Sequence, residues 1–111
     1  MPAPAQGALA VQCRRDDARV LEALASLDHA PSRAGVEAER DALRRAEGGC
    51  DIAFGAFFIH AHADAGRHPS AQHELLGMHE RSGSVRVARV RGKDPTALGA
   101  ELWAKLDGGA R

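Results

Sequence analysis

Cys50 follows two glycines in the run Glu47-Gly48-Gly49-Cys50. Glycine has no side chain and tolerates backbone conformations closed to other residues, so a thiol placed after a glycine pair can be presented free of neighbouring bulk. The chemistry open to such a thiol is attack, as thiolate, on an electrophilic carbon to form a thioether. Ten residues earlier stands Arg40, in Ala38-Glu39-Arg40. Its guanidinium is a planar fork of donors suited to carboxylates. Asp51, beside Cys50, is the carboxylate next to the thiol. Cys13 ends an apolar run (Ala8 to Cys13) and reads as a packing residue. Two cysteines in such unlike settings do not form a disulfide framework, which points to a reduced, cytoplasmic protein.

The remaining candidates are weaker. His60 and His62 share a face of an extended strand, and His68, His73 and His79 follow. Their spacing matches no zinc pattern, so no metal site is assigned. Arg81, Arg86, Arg89, Arg91 and Lys93 form a basic stretch. It reads as an anion-binding strip or, more simply, as a solvated strand whose charges discourage edge pairing.

These residues need elements to hold them. Val20, Leu21, Leu24 and Leu27 recur at helical spacing behind Asp16 and Asp17, either of which can cap, and predict a helix near 17–28. Pro31 interrupts, and Ser32 or a neighbour opens a second helix near 32–47, ended by Gly48-Gly49. The apolar run Ile52 to His62 and two segments around Arg81-Ser82-Gly83-Ser84 predict an antiparallel sheet from 51–62, 73–80 and 84–92. Asp94, Pro95 and the leucines 98, 102 and 106 mark a last helix over 95–107. Residues 8–13 read as a short strand ahead of the first helix. The fold class is α+β: a small three-stranded antiparallel sheet with helices packed on one face, preceded by an orphan strand.

Composition narrows the rest. The chain has 111 residues, 44% hydrophobic and 27% charged, with fifteen basic and fifteen acidic residues and a formal net charge of +0. That balance gives no ground for a nucleic-acid or membrane-surface partner. No apolar run approaches the roughly 18–20 residues of a membrane span, and the N-terminus lacks the basic region of a signal peptide. With three Phe, one Trp and no Tyr, much of the core must come from aliphatic residues.

Two stretches go beyond pattern: Pro2-Ala3-Pro4-Ala5-Gln6-Gly7-Ala8-Leu9-Ala10-Val11-Gln12-Cys13-Arg14, and Asp28-His29-Ala30-Pro31-Ser32-Arg33 leading into Ala38-Glu39-Arg40 and Glu47-Gly48-Gly49-Cys50. Together they resemble the C-terminal part of porphobilinogen deaminase (hydroxymethylbilane synthase), an enzyme of tetrapyrrole synthesis. The resemblance is sharp over residues 2–55 and rests on element order beyond about residue 60. It implies that Cys50 carries a dipyrromethane cofactor through a thioether, and that Arg40 contacts a carboxylate of the pyrrole chain. The cofactor primes the addition of four porphobilinogens, each losing ammonia. Ala5, Gln12, Ala46 and Ala53 depart from the residues usual in the family, which are glycine, glutamate, a larger apolar residue and proline.

The resemblance further implies that residues 1–14 are a remnant strand of a preceding domain and 15–111 the cofactor-bearing domain. The family's general acid/base aspartate and most of its polypyrrole-binding arginines lie in domains with no counterpart in this chain, so no catalytic residue is assigned here. Porphobilinogen, the growing polypyrrole and a separate chain carrying the first two domains are the implied partners. The alternative is a non-catalytic α+β binding module that kept the fold and lost the cofactor.

Overall fold

The computed structural model describes residues 1–46, 52–61 and 72–108. Cys50, Asp51, His62, His68 and the Gly48-Gly49 pair fall outside them. The elements run α1 (Ala18–Ala25), α2 (Ala30–Arg45), β1 (Phe54–Ile59), β2 (His73–Arg81), β3 (Ser84–Gly92) and α3 (Pro95–Asp107).

The strands form one antiparallel sheet in the order β1-β2-β3. Its register is set by a two-residue turn, Ser82 and Gly83 at φ 53° and 79°, the left-handed pair that matches strand twist. Because side chains alternate along a strand, the row Phe58–Leu75–Val90 faces inward and the neighbouring row Phe57–Leu76–Arg89 faces outward. The inward row meets Leu98, Leu102 and Leu106 of α3 and Ala38 and Ala42 of α2 in one core. The outward face bears Phe57, Val85 and Val87, all exposed. This is a small α+β fold with α2 and α3 on one face of an open sheet.

Small residues set the distance between the two packed helices. A Cβ on Gly99 would lie 2.5 Å from an Asp41 carboxylate oxygen and 2.9 Å from the Ala38 carbonyl oxygen. Only hydrogen fits there, which lets α3 seat directly on α2.

Three expectations need correction. No strand forms over 8–13: Leu9 is 97% and Val11 67% exposed, with no ladder partner among the described residues. An apolar run becomes a strand only where a neighbour offers a ladder, and neither edge of this open sheet pairs with it. The first helix ends at Ala25, not residue 28, because it buries none of its residues and its last turn, with Leu27, lies in solvent. Asp17 does cap it, accepting from the Val20 amide at 3.1 Å. The second helix starts at Ala30, two residues early: His29 is its cap and Pro31 sits in its first turn, where a missing N–H costs nothing.

Candidate functional site

Arg40 stands on α2 opposite its buried face. Ala38 and Ala42 turn into the core, and Arg40, two positions from each, is exposed and in no ion pair with a described residue. Glu39, its neighbour in sequence, points elsewhere. One of its carboxylate oxygens accepts from the Phe58 amide of β1 at 2.8 Å, the other from the Ala5 amide at 2.6 Å. One side chain thus ties helix, strand edge and N-terminal segment. The tie continues where the Ala56 amide donates to the Pro2 carbonyl at 3.1 Å. A Cβ on Gly55 would lie 2.7 Å from Met1, so glycine is what lets the segment cross β1 there.

Ala46 follows α2 and Ile52 precedes β1, and both pack against the core. They bracket residues 47–51, which include the glycine pair and Cys50. Whether Arg40 and Cys50 approach each other lies outside the described residues. Cys13 is half-buried and unpaired.

The basic stretch is not a free strip. Arg91 donates from Nε to Glu74 Oε1 at 2.8 Å, and Arg89 lies 3.6 Å from Glu74 Oε2. Glu74 is only 2% exposed although it sits on the outward face, roofed by these guanidiniums. Arg86 donates to the Leu106 carbonyl at 3.0 Å, at the negative end of the α3 dipole. The Lys105 ammonium donates to the Arg89 carbonyl at 3.1 Å.

At the other end of the sheet, Phe58 meets His60 edge-on and lies tilted against His73, at 4.8 and 5.2 Å between ring centroids. The Ala61 amide donates to His73 Nδ1 at 3.2 Å. Burial first, then nearby His73 and His29, push the His60 imidazole below its ordinary pKa. Among the described residues no group of three or more His, Cys, Asp or Glu side chains could hold a metal ion, and no helix is long and apolar enough to cross a membrane.

Sequence reasoning passed over Glu39. Its signal was a carboxylate at the border of a helix's apolar face, the position from which a side chain reaches a neighbouring strand edge.

Comparison with known proteins shows what this chain is similar to. A porphobilinogen deaminase of Brevibacillus brevis is 36% identical over 108 residues, 96% of this chain. This chain is homologous to the C-terminal part of the porphobilinogen deaminases. The deaminase of Desulforudis audaxviator is 57% identical over 56 residues, half of this chain, and that of Nocardia farcinica 59% identical over 56. The chain spans only 16% to 33% of the length of these relatives. No family model matches it. The deaminase homology thus extends over nearly the whole chain and is stronger over half of it.

Proposed function

We propose that this chain is the cofactor-bearing C-terminal domain of a hydroxymethylbilane synthase, with residues 1–14 a remnant of the preceding domain and 15–111 the domain itself. One observation carries the reading: 36% identity to a deaminase over 96% of a chain that contains Glu47-Gly48-Gly49-Cys50. In this reading Cys50 holds a dipyrromethane through a thioether. When bound, that group supplies the primer to which four porphobilinogens are joined, each with loss of ammonia, in tetrapyrrole synthesis. Arg40 fits such a group: an exposed guanidinium, in no ion pair with a described residue, is the donor set a chain of carboxylated pyrroles calls for.

In this reading proton transfer falls to residues of the family's first two domains. A positioned acid/base is worth roughly 10²–10⁴ in rate, and preorganised electrostatics usually contribute more. Both would come from a polypeptide stretch carrying the first two domains. Leu9, Val11, Val20, Leu21 and Leu27 are the exposed apolar residues such a polypeptide would cover. The reading places the protein in the cytoplasm, with no nucleic-acid or membrane partner.

Intact mass of the chain, produced in cells that make porphobilinogen, tests the attachment. A dipyrromethane should add its mass to the native chain and not to Cys50→Ser. Added alone to porphobilinogen, the chain should give no hydroxymethylbilane; with a polypeptide carrying the two other domains it should turn over. Unmodified protein that no such polypeptide activates would leave the binding-module reading instead.

A further inference from the structure

Between the end of α2, the β2–β3 turn and the last turns of α3 lies a groove of about 650 Å³, lined by Arg45, Ala46, Ile52, His79, Arg81 and Trp103 among others. That is within the range of about 300–1,000 Å³ in which proteins hold small organic molecules.

Three observations define what it would take. First, two rings line it: His79 and Trp103 lie 5.4 Å apart, centroid to centroid. A flat ring stacks on such rings or meets them edge-on. Second, His79 is only 7% exposed, yet its imidazole makes no hydrogen bond with any described residue. In either tautomer the ring carries an N–H, which at the groove is open to an acceptor from outside the chain. Third, two exposed guanidiniums line the groove with donors to spare. Arg45 uses Nε on Asp41 at 2.8 Å, and Arg81 stands 3.6 Å from Asp107, too far for a hydrogen bond. On the acidic side, Glu80 accepts from the Gly83 amide at 2.6 Å, and Asp107, which also lines the groove, faces Arg81 as its ion-pair partner.

We propose that this groove binds a small planar aromatic carboxylate, its ring against Trp103 and His79 and its carboxylate toward Arg81 and Arg45. The class follows from the groove alone and does not rest on the deaminase reading.

Trp103 is the single tryptophan, so its indole N–H is one resolved signal for the 111-residue chain. Titration with benzoate and with porphobilinogen should shift that signal saturably, whereas benzyl alcohol, which lacks the carboxylate, should not. Arg81→Ala, an exposed change, should weaken binding about tenfold, the scale of one charge-assisted hydrogen bond. Ala46→Leu should weaken binding by narrowing the groove. Equal affinity for the two acids would indicate a general aromatic-acid site; tighter porphobilinogen would indicate a carboxylated pyrrole. No saturable shift with either acid up to about 10 mM, or wild-type affinity in a folded Arg81→Ala, overturns the proposal.

Discussion

The carboxylate of Glu39 accepts the backbone N–H of Phe58 at 2.8 Å, in place of a neighbouring strand at the β1 edge. An edge amide is normally left to water or to another chain. Here a helix residue takes it and, with its second oxygen, fastens the N-terminal segment at Ala5.

Glu39→Ala should therefore destabilise the chain by about 1.5–3 kcal/mol, the range for hydrogen bonds to a charged group. Glu39→Gln, which keeps one acceptor oxygen, should lose less. Urea unfolding measures both, and amide exchange should quicken at Ala5 and Phe58 before it does at Leu75. Unchanged exchange at those two amides in Glu39→Ala would remove the clamp from the account.

Stability should fall on mild acidification because of His60. Its folded pKa is lowered, so between that value and about 6.5 the unfolded chain binds the proton more readily than the folded one. His60 therefore imposes no cost above about 6.5, and a growing one as pH drops below it. The urea midpoint should decline from pH 7.5 to 5.5, and His60→Gln should flatten that decline. His73 and His29 face the same site and supply part of the effect, so His73→Gln alone should flatten the decline in part.

Gly99→Ala should cost about 1–3 kcal/mol, as overpacking does. Its new Cβ would meet Asp41 and the Ala38 carbonyl across the α2–α3 contact. Asp41 cannot swing away freely. Burial works to raise its pKa, but Arg45 and Arg44 outweigh that and hold its carboxyl below the ordinary value. The readout is the thermal midpoint, compared with Gly83→Asn at the exposed turn, where Asn tolerates the left-handed backbone.

Arg91→Ala should destabilise by about 1–2 kcal/mol, below the 3–5 of a fully buried pair because the guanidinium is half-exposed. It takes the 2.8 Å donor from a carboxylate that is almost wholly buried. Glu74→Leu removes the buried charge itself and should cost less than Arg91→Ala, which equilibrium unfolding of the two variants decides.

Cys50 should alkylate faster than Cys13 in the native chain. A glycine pair adds no side-chain bulk before the Cys50 thiol, whereas Cys13 is half-buried. Mass mapping after brief iodoacetamide exposure gives the two rates, and equal or reversed rates would contradict the presentation argument.

What was legible in the sequence is what short-range physics sets. Asp17 and Asp94 cap helices because a carboxylate satisfies free N–H groups within two or three residues. The Ser82-Gly83 turn and the leucines 98, 102 and 106 likewise announce a hairpin and a core helix without help from the rest of the chain. The Glu-Gly-Gly-Cys motif was legible in the same way, as types at a spacing. Long-range partners were not. An apolar run such as Ala8 to Cys13 becomes a strand only if a neighbour offers a ladder, and no described residue does. Glu39 reads as one more charge on a polar helix until the fold brings Phe58 and Ala5 to it, 19 and 34 residues away. Glu74 and Arg91 look like solvated strand charges, and only the register β2 takes with β3 sets them side by side. Spacing along the chain decides local elements because their hydrogen bonds close within a few residues; which side chains meet across 15 or more depends on packing that no local pattern encodes.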